Sequence, residues 1–401
     1  MKHPSTLYKT LLISHCLLFS SLLLSAQTFI DSTTFKFGGY IKTDLINTWY
    51  RNGDVGSESP LRDVHIPGQI PIGSSDPNYN LDFHVKESRF NFDVETVIKG
   101  EKIHGFLEMD FLFSKQGDEK VSNSFSPRLR HFYFEWRRML IGQTWSTFMM
   151  VVIPDDLDLA GAMEGIVLNR QPQIRYKAGN WWFAVENPET TVIQFQSGSQ
   201  TIVTEKEVFP DVVVRRNFPV NWGSWGVAAM FRVLSGKDST DAVTREPGFG
   251  ITTGGKILVG DRGDDIRIVA TYGQGMGRYL AAGFISDGVL DPDIDINPIE
   301  SLNGYVAYKH FWIEDKLAST FNISGFRAYN DSNLAGPEAN TIAYSLSANL
   351  KYTPVRQLML GVEFMNAYRE IEDGTSGEFN RLQISARYTF GYTNIAANEK
   401  R

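Results

Sequence analysis

The stretch Ile342-Ala343-Tyr344-Ser345-Leu346-Ser347-Ala348-Asn349-Leu350-Lys351-Tyr352 decides the fold. Ile342, Tyr344, Leu346, Ala348, Leu350 and Tyr352 form one set, Ala343, Ser345, Ser347, Asn349 and Lys351 the other. A period of two marks a β-strand with one greasy and one wet face, because successive side chains of an extended chain point to opposite sides. The pattern recurs over 89–96, where Arg89, Asn91, Asp93 and Glu95 oppose Phe90, Phe92, Val94 and Thr96. It recurs over 381–390, where Leu382, Ile384, Ala386, Tyr388 and Phe390 alternate with Arg381, Gln383, Ser385, Arg387 and Thr389. Over 265–272 the apolar set is Ile266, Ile268, Ala270 and Tyr272. Segments 128–136 and 301–312 are strand-like, but their faces do not separate cleanly.

Charged residues on the wet face of strand after strand exclude a packed β-sandwich, in which they would be buried at high cost; a watered lumen solvates them. The greasy face then meets lipid, where an open sheet edge is forbidden and the strands must close into a barrel. The connections support this. Long ones near 51–84, 114–126, 148–170, 190–210, 235–248, 277–300, 330–339 and 371–377 alternate with short ones near 99–102, 137, 179, 218–222, 260–264, 313–316 and 354–356. Eight long and seven short connections join sixteen strands. Outer-membrane barrels combine an even strand count with long outer loops and tight periplasmic turns. The expected fold is all-β: a 16-stranded antiparallel transmembrane β-barrel over 27–392, with a short polar tail at 393–401. Trp49, Tyr50, Trp136, Trp145, Trp181, Trp182, Tyr272, Tyr308, Trp312, Tyr352, Tyr368 and Tyr392 are the candidates for its interfacial aromatic girdles.

The start of the chain fits export. Lys2 and Lys9 precede an apolar run from Leu11 to Leu24 and the small exit Ser25-Ala26, which predicts a signal peptide cleaved after Ala26. The only cysteine, Cys16, lies in that run. Removing the leader takes away two lysines and no acid, so the formal charge falls from −7 to −9, a balance that disfavours nucleic acid as a partner. No later stretch has the roughly 18 consecutive apolar residues of a transmembrane helix.

The third long loop, between the fifth and sixth strands, has the composition of a constriction that folds into the lumen. An apolar start, 149–153, leads to Pro154, the acids Asp155, Asp156 and Asp158, the small residues 160–162, and then Glu164 and Arg170. Acids there, facing cations on the wall, would set up a transverse field that orients dipolar or anionic solutes. Alternation points Arg89, Arg175, Lys177, Arg232, Arg267, Arg381 and Arg387 inward. Arginine suits the passage of carboxylates because its planar fork can hold one through two hydrogen bonds. The bland alternative pairs each of these with a lumen acid such as Asp93, Glu95, Glu108, Asp110 or Glu363. The expected activity is passive diffusion of small hydrophilic solutes, with no cofactor and no metal. An outer-membrane enzyme and a plugged structural or adhesion barrel are the rivals, but His84, His104, His131 and His310 are scattered with no nucleophile signature beside them. Gly273-Gln274-Gly275-Met276-Gly277 ends a strand without opening a helix, and Asp291, Asp293 and Asp295 lack the glycine and glutamate of a calcium loop.

Several motifs together resemble the DcaP-like family of outer-membrane porins: 37–44 (FGGYIKTD), Leu129-Arg130-His131, 142–148 (GQTWSTF), 170–176 (RQPQIRY), Glu186-Asn187-Pro188 and 272–279 (YGQGMGRY). The resemblance covers nearly the whole exported chain. It implies a homotrimer of sixteen-stranded barrels in the bacterial outer membrane, each with its own pore, admitting small anionic solutes and dicarboxylates in particular. It also implies that basic lumen residues and the third loop shape the passage. Two departures stand out. The first strand is expected by about Phe35, without the N-terminal coiled coil of some relatives, and the last aromatics, Phe390 and Tyr392, are followed by further polar residues.

Overall fold

The computed structural model describes residues 30–113, 122–198, 201–204, 206–237, 243–293 and 295–397. The expected leader, 1–26, and the last four residues of the expected tail lie outside them. Sixteen wall strands follow in chain order: β1 (Ile30–Tyr50), β2 in two pieces (Asn78–His84 and Arg89–Ile98), β3 (Glu101–Asp110), β4 (Arg128–Trp136), β5 (Met139–Trp145), β6 (Arg170–Ala178), β7 (Trp181–Glu186) and β8 (Asp211–Val220) come first. Then come β9 (Gly223–Lys237), β10 (Val243–Val259), β11 (Asp264–Gln274), β12 (Glu300–Ile313), β13 (Leu317–Tyr329), β14 (Asn340–Val355), β15 (Leu358–Ile371) and β16 (Ser376–Ala397). Each pairs antiparallel with the next, and β16 closes onto β1 from Ser32↔Ala397 to Tyr50↔Phe379. A sheet of this size leaves room for an aqueous channel.

The broken strand is explained locally. Both pieces of β2 lie against β1, with Asp44↔His84 above the break and Tyr40↔Arg89 below it. Between them the Ser88 side chain replaces ladder bonds, its Oγ accepting from Lys42 N at 3.0 Å and donating to Lys42 O at 3.2 Å. The sheet therefore counts seventeen segments around sixteen wall positions.

Alternation sorts the faces of β14 as the sequence predicts: Tyr344, Leu346, Leu350 and Tyr352 are exposed, while Ser345, Ser347, Asn349 and Lys351 are buried inside. Exposed aromatics collect in two belts, Trp49, Tyr79, Tyr272, Tyr329 and Tyr344 near the loop end and Trp136, Trp181, Trp222, Trp312, Tyr352 and Tyr392 near the turn end. Three expected girdle residues turn inward instead. Tyr50 is buried against Phe379, Trp182 carries the guanidinium groups of Arg175 and Arg215, and Trp145 carries that of Arg170. Since neighbours in a strand take opposite faces, Trp181 and Trp182 could not both reach the lipid.

Two expected boundaries also move. β9 and β10 pair up to Lys237↔Val243, so most of the loop expected at 235–248 is hairpin. The last strand continues to Ala397, so residues 393–397 of the expected short polar tail are paired with β1.

Gly39 sits where β1 meets both neighbours, opposite Phe90 and Phe390. Its φ is +147°, and a Cβ there would lie 2.0 Å from Arg89 O. Backbone in this region costs a non-glycine residue about 1–3 kcal/mol before any clash. Gly39→Ala is therefore expected to block closure, seen as loss of the heat-modifiable folded band on electrophoresis; normal folding yield would refute the steric argument.

Candidate functional site

The third loop, 146–169, leaves β5 and returns to β6 across the lumen. Its backbone is held by the wall: Met149 O accepts from Arg215 Nη1 at 2.7 Å, Val152 O from the Tyr305 hydroxyl at 3.0 Å, and Asp155 O from Lys351 Nζ at 2.6 Å. Arg267 donates to Ile153 O, and Gly165 N donates to Ser324 Oγ at 2.8 Å. The amides of Leu157 and Asp158 donate to the Glu363 carboxylate at 2.7 and 3.2 Å. These partners lie on β8 and on β11 through β15, so the loop is laid against that side of the barrel.

The loop's acids do not confront cations across an open pore, which corrects the expectation of a transverse field. Asp155 is paired with Lys309 at 2.7 Å and with Lys351. Asp158 takes Arg381 Nη1 at 3.2 Å and the His65 amide at 2.9 Å. Glu164 is fully buried, with Oε1 2.5 Å from His65 Nε2 and Oε2 accepting from Ser345 Oγ at 2.7 Å. Asp156 accepts from Asn349 Nδ2 at 3.4 Å. Burial works to raise the Asp155 carboxyl, but Lys351 and Lys309 outweigh it and hold the group below its ordinary value. For Asp156 burial, and then the Glu363 carboxylate, push it well above that value. These groups tether the loop, and the first outer loop is tethered to it through His65.

Most of the wall cations are tethers as well. Arg232 is enclosed by Asp211 and Asp287, Arg381 by Asp158, Thr48 Oγ1 and Leu61 O, and Arg267 by Asp265 and Ile153 O. Arg175 donates to Thr147 Oγ1 and Trp145 O, and Lys177 pairs with Glu135 at 2.6 Å. Arg89, Arg387 and Arg170 differ. Among the described residues Arg89 has acids only at 3.9 Å, Glu87 and Glu108, and its Nε has no partner. Arg387 Nε is likewise unpartnered, and both guanidinium groups lie 5.4 Å from the Tyr40 ring. Arg170 stacks 4.5 Å from the Trp145 ring with Nη1 unpartnered. It stands at the start of β6, on the wall, and not in the constriction loop to which its position in sequence assigned it.

Open space lies on this same side. Inward residues of β2 and β3, such as Asn91, Asp93, Glu95, His104 and Glu108, are half-exposed, whereas inward residues of β14 are covered by the loop. A cavity of about 450 Å³ runs between β2–β6 and the loop, lined by Arg89, Glu108, Arg130, Tyr133 and Arg170 on the wall and by Leu159 and Leu168 opposite. Arg130 and Tyr40 were missed by alternation. Arg130 was hidden because a register shift at Glu108/Met109 turns both it and His131 inward; an extra residue in one strand resets its facing. In the glycine-rich segment 273–277, Gly275 O accepts from Arg232 Nη1 at 2.7 Å. Asp291 accepts from the amides of Asp293 and Asp295, a turn brace.

A closed barrel with an apolar outer face, a partly open polar lumen and an infolded third loop defines an outer-membrane channel of the porin class. The chain belongs to the DcaP outer membrane protein family, whose model matches residues 25–390, and it resides in the bacterial outer membrane. The outer membrane channel DcaP of Acinetobacter baumannii superposes with a TM-score of 0.74 at 23% identity, covering 89% of this chain and 97% of that one. An anion-selective porin from Comamonas acidovorans (TM-score 0.53, 10% identity, 89% of this chain and 100% of that one) shares the fold. So does Salmonella typhi OmpF (TM-score 0.53, 10% identity, 88% and 97%). No curated protein matches the chain in sequence.

Proposed function

We propose that the chain is a non-enzymatic diffusion pore for small anionic solutes, dicarboxylates among them. The observation that carries this is a set of guanidinium groups with no carboxylate within hydrogen-bond distance among the described residues: Arg89 and Arg170, which line the open cavity, and Arg387, which shares the Tyr40 ring with Arg89. The net charge of the whole chain points the other way, but the loop's acids are spent on tethers. Among the described residues that line the cavity beside the loop, Arg89, Arg130 and Arg170 outnumber the one carboxylate, Glu108, and an arginine row gives a dicarboxylate several weak, sequential contacts, as passage requires.

A homotrimer embedded in lipid fits the same reading. β5 has seven residues and β7 six, below the roughly nine to eleven a tilted strand needs to span the hydrocarbon. Across this stretch of wall the outer side chains, Ile174 on β6 and Phe183 on β7 among them, are apolar and exposed, which suits cover by neighbouring copies better than by lipid alone.

The test is the reversal potential of reconstituted channels under a salt gradient. Wild type is expected to prefer anions, and Arg170→Glu or Arg387→Glu to shift the potential toward cations. Cation preference in the wild type would refute the anion reading while leaving the barrel intact.

A further inference from the structure

At the outer end of the barrel, away from the arginine row, loops 51–77, 187–210 and 275–299 meet over β14 and β15 around a second cavity of about 200 Å³. Arg369 lines it from β15. Its Nε donates to Asn340 Oδ1 at 2.7 Å and its Nη1 to Ile70 O at 2.9 Å, and among the described residues no carboxylate forms an ion pair with it. Asn330 stands beside it, donating from Nδ2 to Asn340 O at 2.9 Å and to Glu372 Oε1 at 2.8 Å. Two acceptors on that nitrogen fix the orientation of the amide. The Asn330 Oδ1 is buried with no donor among the described residues, in a side chain that lines the cavity. The backbone beside the cavity is strained: Ala281 and Ala282 have φ of 47° and 56°, and Ala282 lines the cavity. Backbone held this way costs stability and is found at ligand clamps.

A guanidinium with spare N–H groups needs an anionic oxygen, and an orphaned amide oxygen needs a hydrogen-bond donor. One small ligand can supply both. We propose that this cavity is an outer capture subsite for a small carboxylate that bears a hydrogen-bond donor next to the carboxylate, as a hydroxy acid does. The proposal rests on the anion-passing reading and extends it with a second, outer station on the path.

Malate and succinate differ by one hydroxyl and serve as probes, each added in turn to the loop side or the turn side of single reconstituted channels, with interruptions of the ion current counted. Malate on the loop side is expected to bind several-fold more often than succinate. Arg369→Gln should lower the loop-side rate several-fold for both and leave the turn-side rates unchanged, and Asn330→Leu should erase the malate preference. Arg369→Lys, which keeps the charge, covers the case in which the glutamine variant fails to fold, and should retain more than half of the loop-side rate. Equal wild-type rates for malate and succinate would overturn the proposal. So would an unchanged loop-side rate in an Arg369→Gln channel that still prefers anions. A wild-type channel that prefers cations would instead sink the anion-passing reading itself.

Discussion

Replacing residues 147–168 with Asn-Gly is expected to raise single-channel conductance several-fold and to move the reversal potential further toward anions. The graft is geometrically easy. Trp145 and Arg170 are already register partners, and Ser146 N donates to Asn169 O at 2.9 Å, so the ends of the loop form the last rung of a hairpin. Asn-Gly supplies the left-handed pair that a two-residue hairpin turn requires. The excised segment carries Asp155, Asp156, Asp158 and Glu164, while Arg267, Lys309, Lys351 and Arg381 stay on the wall. Those cations are half-buried or buried under the loop now, and water would reach them once it is gone. Conductance should rise because cross-section returns to the lumen, and anion preference because four acids leave and their partners remain. A shortened channel that conducts as the wild type does would mean the loop does not narrow the path. One that conducts more but turns toward cations would mean the wall charges do not set selectivity.

The parts of this molecule that sequence makes legible are those governed by local periodicity. Alternation over 342–352 and 381–390 reported which side chains face water because lipid on one side and a lumen on the other enforce period two. Where the backbone departs from that period, legibility stops: the shift at Glu108/Met109 concealed Arg130, and the Ser88 break concealed that β2 is one interrupted strand. The role of the loop's acids was unreadable for a different reason. Their partners are remote in sequence, Glu363 for the Leu157 amide and Arg381 for Asp158, so composition reveals a cluster of charge without revealing what neutralises it. The same holds for the wall arginines. Sequence shows seven inward cations with equal claims, and only the fold separates the ones clamped between acids from Arg89 and Arg387.

The clamped class makes its own strong prediction: Arg232→Leu should destabilise the barrel by about 3–5 kcal/mol, the usual cost of stranding a buried charge. Arg232 is 1% exposed and joins three parts of the outer end. Its Nε lies 3.1 Å from Asp211 on β8, its Nη1 2.7 Å from Asp287 and from Gly275 O in the loop 275–299, and its Nη2 donates to Glu189 O in the loop 187–210. Tyr279 adds its ring, 5.1 Å from the guanidinium, and its hydroxyl donates to Asp211 at 2.6 Å. Leucine removes the cation and leaves two buried carboxylates without it, although Asp287 keeps the Thr191 amide at 2.8 Å. The measurement is the urea midpoint for loss of the folded band, compared between wild type and variant. A triple variant that adds Asp211→Asn and Asp287→Asn to Arg232→Leu discriminates between the two causes. If the penalty comes from unpaired charge, the triple variant recovers a large part of it, because neutral amides can be buried where carboxylates cannot. If it comes from lost packing around Tyr279, the triple variant is no more stable than the single one. A single variant as stable as wild type would show that water reaches Asp211 and Asp287 once the guanidinium is removed, and that the two loops are held by their apolar contacts, Val192 against Leu234 and Ile296, without the ion cluster.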